Sequence, residues 1–318
     1  MKFQDKLTSA LPIFCLLMLL LNCTQQKQKN KIIESENSPT KVYTTPLGLE
    51  KVYPTPSAQM LAQYEEAKND YKKYPNKAEN LIWYGRRAAY LGRYEEAITI
   101  YTEGIDKFPD NPKFYRHRGH RLISIRKYEE AITDLQRAEE LIQGTENEIE
   151  PDGMPNARNI PVSSLHGNIY YHLGLAYYLV HDYEKSFEAY LNCRNSSNNP
   201  DNIVSSTHWL YMIQRRLGNT EKSNTILSPV ESGFDIIENH DYYTLCKLYK
   251  GTIPIDSIAV SGDTPSSDAL KYGMANWFFY NNDSIRAEKM FKTMMEGKAW
   301  TSFGYLAAES DLLKYYQQ

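Results

Sequence analysis

The sequence has little net charge, few cysteines and no apolar run long enough to span a bilayer. Its 36 basic and 39 acidic side chains give a formal net charge of -3, which argues against a general nucleic-acid binder because such proteins are usually strongly basic. Four cysteines among 318 residues cannot form a dense disulfide framework. We expect Cys193 and Cys246, which lie in apolar helical patterns, to be buried rather than bridged. The apolar run over residues 10–21 has twelve residues, whereas a membrane-spanning helix needs about 20.

The sequence also lacks the motifs that many enzymes carry. It contains no phosphate-cradling glycine loop, no nucleophile elbow and no strong metal-ligand spacing. The pairs His181-Asp182 and His240-Asp241 stand at turns, where they are expected to cap helices. We therefore predict that the protein is not an enzyme and needs no cofactor.

The N-terminus has the pattern of an export signal. Lys2 and Lys6 precede the apolar run, which has the length of a signal-peptide core and ends in LLNC at Cys23. This ending resembles the lipobox of bacterial lipoproteins, in which the cysteine is lipidated and becomes the mature N-terminus, although Asn22 replaces the usual small residue. An ordinary signal peptide with an incidental cysteine is the alternative. The resemblance implies a signal peptide over 1–22 and a place in the bacterial cell envelope, at the outer membrane or its periplasmic face.

Residues 23–56 are predicted to form a lipid-anchored flexible tether. They are rich in Lys, Asn, Ser, Thr and Pro and show no helical period. Thirty-odd residues of random coil reach roughly 30 Å, and several acyl chains at Cys23 would hold the protein stably at a membrane. The anchor is the only membrane contact that we expect.

A period of 34 residues follows the tether. The stretch KYPNKAENLIWYGRRAAYLGRYEEAI from Lys73 aligns without gaps with KFPDNPKFYRHRGHRLISIRKYEEAI from Lys107, and Gly85 aligns with Gly119. An ungapped match at this period is typical of stacked helical hairpins. Gly85 would let the two helices of a hairpin approach closely, and the acids of EEAI suit the start of a second helix.

These residues resemble the tetratricopeptide family. The family has a small residue in its first helix, an alanine in the second (Ala97), an aromatic four residues later (Tyr101) and a closing proline (Pro109). The resemblance implies an all-α solenoid of tetratricopeptide-like hairpins over 57–318, with about five to six repeats plus capping helices. It is strong over 61–227 and looser beyond.

Later segments extend the pattern. Residues 170–190 and 207–227 are predicted to be the third and fourth repeats, an irregular helical pair follows, and 272–295 is predicted to be a further repeat. Residues 299–316 begin like another first helix and are expected to cap the array, as 61–74 does at the other end.

One loop interrupts the array. The inserted segment 144–166, which contains EIEPDGMPNARNIPVSS, is about twenty residues longer than a repeat boundary needs, and loops of that length are usually functional or disordered. We expect an ordered loop that folds over the array and reaches its surface with Arg158 and Asn159. The motifs RHRGH, PDGMPNARNIP and THWLYM resemble ones that recur in a set of bacterial tetratricopeptide proteins, which bears on the fold more than on function.

The family resemblance also places a set of basic and aromatic side chains on the concave face, which the first helices line. Its members are Trp83, His117, His172 and Trp209 in one row, Arg86 and His120 one turn further along, and Arg116, Tyr171 and His208 beside the row.

Three interpretations of this predicted groove remain open. The first is a recognition site for an acidic peptide, a chain terminus or a small anion, because arginines bind carboxylates and phosphates through two bonds and dominate hot spots together with aromatics. The second is a metal site that starts from His117 and His120, although no carboxylate or cysteine at ligand spacing accompanies them and the arginines repel a cation. The third is a structural role, in which these side chains satisfy the backbone of the inserted loop.

We predict a non-catalytic, lipid-anchored scaffold that binds a protein or peptide partner through its concave face, without metal or nucleic acid. One alternative is a small-molecule or glycan-binding envelope protein with the 144–166 loop as a lid. Another is an envelope assembly scaffold that uses its convex surfaces. An open groove would favour a polypeptide partner, and a closed pocket near His117 would favour a small ligand.

Overall fold

The computed structural model of the protein describes residues 42–260 and 262–316. The chain divides into two units, 1–43 and 44–318, and the fold presented below is that of the second. The predicted signal peptide, the lipidation site Cys23 and the first part of the predicted tether lie outside the described residues. None of the described helices has the length and apolarity that a membrane span requires.

Thirteen α-helices and two short strands make up most of the regular structure in the described ranges. Each strand has only three residues, and the regular structure of the described ranges is otherwise helical, so the all-α prediction is confirmed. In chain order the elements are β1 (Val42–Thr44), β2 (Glu50–Val52), α1 (Ala58–Lys73), α2 (Ala78–Tyr90), α3 (Tyr94–Lys107), α4 (Pro112–Ser124), α5 (Tyr128–Leu141), α6 (Leu165–Leu179), α7 (Tyr183–Asn195), α8 (Pro200–Arg216), α9 (Thr220–Ile226), α10 (His240–Tyr249), α11 (Pro265–Tyr280), α12 (Ser284–Met294) and α13 (Phe303–Tyr315).

The first regular hairpin, α2–α3, shows why this sequence folds as paired helices. A Cβ on Gly85 would lie 2.4 Å from the ring of Tyr101, so only glycine lets the two helices approach as they do. The turn between them contains Gly92 with φ +75°, a left-handed conformation that glycine adopts without steric cost. Glu95 and Glu96 then occupy the first turn of α3, where they complement the helix dipole.

Four further hairpins follow: α4–α5, α6–α7, α8–α9 and α11–α12. The first helices of neighbouring hairpins contact one another, and no comparable contact joins the second helices. The stack therefore curves with its first helices on the inside, and we call the surface that they line the inner face. The protein is an all-α solenoid of tetratricopeptide-like hairpins.

The last helix corrects an expectation from the sequence. Residues 299–316 were expected to cap the end of the array, but α13 contacts α6 in the middle of the stack as well as α11 and α12. It therefore lies on the inner face, and Leu306, Ala307 and Ala308 are buried there. The C-terminal part of the inner face is filled by the chain itself.

The hairpin turns help to hold α13. The position that Gly92 occupies in the first hairpin is taken by Arg126 and His181 in the next two, with φ of 63° and 62°. A side chain other than glycine rarely adopts this conformation. Arg126 Nε donates to Glu309 Oε2 at 2.8 Å, and His181 Nε2 lies 2.9 Å from Ser310 Oγ. Contacts with α13 compensate for the unfavourable backbone at both turns.

The predicted tether ends earlier than expected, because residues 50–54 pack on the folded unit. Lys51 Nζ donates to Gly297 O at 3.0 Å, and Trp300 Nε1 donates to Val52 O at 3.1 Å. The Tyr53 ring lies 5.2 Å from the Trp300 ring, and its hydroxyl donates to Glu95 at 3.1 Å. We call residues 50–54 the N-terminal clasp, since they join the first hairpin to the segment that precedes α13.

Candidate ligand-binding inner face

The inserted loop lies across the inner face near its N-terminal end. Arg86 Nη2 donates to Pro151 O at 2.8 Å, and Arg87 Nη1 donates to Gly153 O at 3.0 Å. Arg116 Nη2 forms an ion pair with Glu150 Oε2 at 2.9 Å. Arg86 and Arg116, which the sequence assigns to a recognition groove, therefore bind a backbone carbonyl and a carboxylate of the protein's own loop, as the structural interpretation of the groove requires.

His117 takes part in this loop contact as a neutral imidazole. It is buried, and Arg116 Nη1 donates to its Nδ1 at 2.8 Å. Its Nε2 lies 3.7 Å from Glu150 Oε1. Burial, followed by the nearby positive charge of Arg116, holds the pKa of His117 well below its ordinary value. Both ring nitrogens therefore face protein groups, and the described residues contain no cluster of three or more His, Cys, Asp or Glu side chains that could hold a metal ion.

The other end of the loop is held away from the arginines. Arg158, which was expected to reach the groove, pairs with Asp235 at 2.7 Å, and both side chains are exposed. Asn159 is exposed with φ 52°. Asn156, which was not predicted as a site residue, anchors this end by donating to Glu238 at 2.7 Å.

Two predicted groove residues, His208 and Trp209, lie in the core. Trp209 is 1% exposed, and its Nε1 donates to the hydroxyl of Tyr171 at 2.7 Å. His208 is 0% exposed and shares a hydrogen bond of 3.1 Å with the hydroxyl of Tyr249. Burial lowers the pKa of His208 to about 3. A partner cannot touch these two side chains in this conformation, because α10 packs over α8.

The middle of the inner face is a cluster of rings around Phe303, the first residue of α13. The rings of His120 and His172 lie 4.1 Å apart, and Phe303 lies 5.5 Å from His120 and 5.6 Å from His172. The Tyr171 ring is 5.9 Å from Phe303. His172 Nδ1 donates to Asn168 O at 2.6 Å, and its Nε2 is buried without a partner among the described residues. Burial holds the pKa of both histidines well below the ordinary value.

Three cavities of the described residues lie at the inner face. The loop cavity, of 220 Å³, lies beside Ser163 and Tyr171. The α13 cavity, of 360 Å³, lies between His120 and the start of α13. Both are lined by Phe303 and Glu238. A third, of 130 Å³, is lined by Arg86, Ala89, Tyr90, Tyr101, Arg116, His117, His120 and Arg121, and we call it the arginine cavity.

Trp83 has a different environment from the other predicted groove residues. It is half-buried on α2 beside a pocket of 160 Å³ that is lined by Asp70, Asn80 and Arg87. The guanidinium of Arg86 lies 4.2 Å from the centre of the Trp83 ring, and that of Arg87 lies 5.1 Å away. Such cation–π pairs keep the ring and both charges together. We call this surface the Trp83 patch.

Two other arginines of the inner face are neutralised by α13. Arg216 Nη2 lies 2.5 Å from Asp311 Oδ2, and the two side chains are 2% and 0% exposed. Arg126 lies 2.8 Å from Glu309, and these side chains are 4% and 1% exposed. An acidic, largely apolar helix therefore occupies the place on the inner face where a bound peptide was expected.

The sequence reasoning missed several residues of these cavities. Arg121 stands four residues after His117 and so lies on the same face of α4, a spacing that could have identified it. Phe303 and Glu238 had no such local signal, because only the long-range closure of the chain brings them to the inner face.

Comparisons with known proteins return only distant similarities. No family model and no curated protein matches the chain. Among solved structures, the chain is similar to MamA (residues 41 to the end) from Desulfovibrio magneticus RS-1, with 19% identity over 54% of this chain and 84% of that one and a TM-score of 0.42. It is also similar to YrrB, described as a TPR protein with an unusual peptide-binding site, with 13% identity over 77% and 96% and a TM-score of 0.42. A third similar structure is a putative kinesin light chain with nearly identical TPR-like repeats from Podosopora anserina, with 12% identity over 77% and 99% and a TM-score of 0.41. These likenesses are too distant to carry an argument about function.

Proposed function

We propose that the protein is a non-catalytic, lipid-anchored scaffold that binds a protein or peptide partner at the Trp83 patch. This patch carries the proposal because it combines a half-buried tryptophan with two arginines on one ring. Tryptophan and arginine are the residues most enriched at binding hot spots. The middle and the C-terminal part of the inner face are occupied by α13. At the N-terminal end the inserted loop binds Arg86 and Arg87, but Trp83 stays half-buried beside its pocket, which makes it the place for a partner.

The two arginines on the Trp83 ring favour an acidic group of a partner, while Glu66 and Asp70 line the adjoining pocket. Within the described residues, neither Arg86 nor Arg87 has an ion pair, and the loop satisfies them with the backbone carbonyls of Pro151 and Gly153. Carbonyl oxygens accept hydrogen bonds without cancelling a charge. A carboxylate brought by a partner would form a stronger, charge-assisted bond with either guanidinium.

Site-specific crosslinking in cells tests the partner surface. A photoreactive amino acid at position 83 should capture a discrete protein, whereas the same group at Ile285, which is 82% exposed on α12, should not. A photoreactive group placed at Gln63, beside the pocket, should also capture the partner, and Trp83→Ala should abolish this capture. Tyr74→Ala, which removes an exposed aromatic just after α1, is the control and should leave the capture intact. Equal capture from positions 83 and 285, or capture that survives Trp83→Ala, would refute this partner surface.

The lipid anchor is a separate part of the proposal and rests on the sequence around Cys23. Cells grown with labelled palmitate should incorporate the label into the wild-type protein and not into Cys23→Ala. An unlabelled wild-type protein, or equal labelling of the variant, would remove the anchor from the proposal without affecting the Trp83 patch.

A small-molecule binder with the inserted loop as its lid is the second candidate. The observation that favours it is the enclosure of the inner face, which leaves the loop cavity and the α13 cavity at 220 and 360 Å³. Protein purified under native conditions would then release a defined small molecule on denaturation, detectable by mass spectrometry. Ser266→Phe, which places a ring at the lining of the α13 cavity, should purify without it. Identical extracts from both proteins would count against this candidate.

A further inference from the structure

The arginine cavity is surrounded by positive charge. Its lining includes the guanidinium groups of Arg86, Arg116 and Arg121 and contains no carboxylate. Its volume of 130 Å³ far exceeds the roughly 10–15 Å³ that a single water molecule requires. The cavity therefore has room for a small polyatomic group in contact with three cations.

The described residues supply less negative charge than these cations require. Glu150 forms the ion pair with Arg116 at 2.9 Å. Asp152, the next carboxyl along the loop, forms no ion pair within the described residues. Burial raises its pKa, and the nearby charge of Arg86 opposes that shift. Three arginines therefore face one paired carboxylate, Glu150, and one unpaired carboxyl, Asp152, so positive charge remains in excess. Buried charge without a counter-charge is unfavourable.

Several donors that face this cavity also lack acceptors. Among the described residues the Arg121 guanidinium has no hydrogen bond or ion pair, and its nearest recorded contact is the ring of Tyr94 at 5.7 Å. Arg116 Nε is buried without a partner. The hydroxyl of Tyr101, a residue that is 1% exposed, has no hydrogen-bond partner in the described ranges. A donor without an acceptor is unfavourable where it is buried, as Arg116 Nε is, and a ligand rich in acceptor oxygens would satisfy several groups at once.

We propose that the arginine cavity binds a tetrahedral, doubly charged oxyanion of phosphate size, with Arg121 as its principal ligand. A tetrahedral dianion offers more acceptor oxygens and more negative charge to these three arginines than a carboxylate does. Arginine donates two parallel bonds to phosphate oxygens, and Arg86 and Arg116 are already fixed in place by Pro151 and Glu150. The anion is either free phosphate or the phosphate group of a small ester. The inference does not depend on partner binding at the Trp83 patch.

Calorimetric titration of the full-length protein in detergent, at pH 8 in a phosphate-free buffer, tests the site. Inorganic phosphate should bind, and acetate should bind at least about 10-fold more weakly, since hydrogen bonds to charged groups contribute about 1.5–3 kcal/mol each. Glycerol phosphate is the second arm, because it distinguishes an ester from the free anion. Binding of either phosphate supports the site, and the tighter of the two identifies the source.

Arg121→Gln is the decisive variant, and Arg137→Gln is its control. Arg137 is an exposed arginine that pairs with Glu140 on α5, so both substitutions change the net charge equally. Arg121→Gln should weaken phosphate binding at least about 10-fold, and Arg137→Gln should not. Since Arg121 has no counter-ion in the described residues, Arg121→Gln should melt no lower than the wild type without phosphate, so loss of binding will not reflect unfolding. Absence of phosphate binding by the wild type, equally tight acetate, or equal effects of the two variants would overturn the proposal.

Discussion

Two sets of arginines lie on the inner face, and they differ in what neutralises them. Arg126 and Arg216 are buried at the C-terminal half and each meets a carboxylate of α13. At the N-terminal half, of Arg86, Arg116 and Arg121 only Arg116 forms an ion pair among the described residues, with Glu150. The first set belongs to a closed structural core. The second retains unused charge and donors, which is what a binding site requires.

The difference also shows how the same groove is used in two ways. In one half α13 brings acids and apolar residues together, so each buried arginine meets a carboxylate of the same chain. In the other half the inserted loop offers mainly backbone carbonyls, at Pro151 and Gly153. These satisfy hydrogen bonds and leave the positive charge in place. The predictions below test this division, from the largest expected effect to the smallest.

Asp311→Ala should destabilise the C-terminal half of the inner face, which α13 fills. It leaves Arg216 buried without its carboxylate and removes the acceptor of the Tyr272 hydroxyl at 2.9 Å, so the free energy of unfolding should fall by about 3–5 kcal/mol. Urea denaturation followed by circular dichroism measures this. Glu288→Ala, which removes an exposed ion pair with Lys292 on α12, should cost no more than about 1 kcal/mol. Similar losses for both variants would show that α13 is not held by its acids.

Glu150→Gln should sharpen the contrast by removing the carboxylate that pairs with Arg116. The free energy of unfolding should fall by about 2–3 kcal/mol, because a buried hydrogen-bonded ion pair is lost. Phosphate should raise the melting temperature of this variant more than that of the wild type. Glu148→Gln, which lies in the same loop and pairs with Lys113 at 3.2 Å in a more exposed position, is the control and should change neither quantity appreciably. A phosphate response equal to that of the wild type would contradict the charge argument.

Low pH should reduce the free energy of unfolding through the buried imidazole of His208. Burial lowers the pKa of His208 to about 3 in the folded protein, below the ordinary value of about 6.5 in the unfolded chain. The unfolded chain therefore takes up the proton first, so the contribution of this group is complete above about pH 6.5 and is lost as the pH falls toward 3.

Between pH 7 and pH 5 this loss amounts to about 2 kcal/mol, and His208→Gln should abolish that share of the pH dependence. Urea midpoints at the two pH values measure it, with His240→Gln, an exposed histidine at the start of α10, as the control. An unchanged pH dependence in His208→Gln would mean that the imidazole is not neutral and buried as described.

Lys51→Ala should loosen the N-terminal clasp, and its effect on stability should be the smallest of these variants. It removes hydrogen bonds from Lys51 to Gly297 and Met295, so we expect a loss of about 1 kcal/mol. Faster hydrogen exchange should be confined to the clasp and to residues near Trp300. Lys68→Ala, which removes a lysine that lies over a tyrosine ring of α1, should not affect these amides. Protection that is equal in both variants would show that the clasp does not depend on Lys51.

The regular hairpins could be predicted because their determinants are local. The 34-residue spacing of Gly85 and Gly119 reports helix contacts within one hairpin, and the structure has the α2–α3 and α4–α5 hairpins there. The return of α13 depends on pairs such as Arg126 with Glu309, which are 183 residues apart. No periodicity signals such a pair, although two acids within the otherwise apolar run of α13 are a hint that partners exist elsewhere.

The placement of the groove residues was predictable only in part for the same reason. Alignment with the repeat pattern places His117 and His120 on the first helix of their hairpin, where His117 contacts the loop and His120 contacts Phe303. It puts Trp209 there too, but the irregular segment after α9 folds over α8 and buries it. A repeat pattern describes one hairpin and its neighbours. It contains no information about segments that return to the stack from a distance.

The ion pairs of α13 have a consequence for how many hairpins this protein can have. An open solenoid can gain or lose a repeat with little penalty, because each repeat contacts only its neighbours. Here one helix pairs with Arg126 in the second hairpin and with Arg216 in the fourth. Inserting a hairpin between them would separate the two arginines further by about 8–10 Å, the distance between packed helices, and α13 could then satisfy only one. The ion pairs of α13 therefore fix the number of hairpins between Arg126 and Arg216.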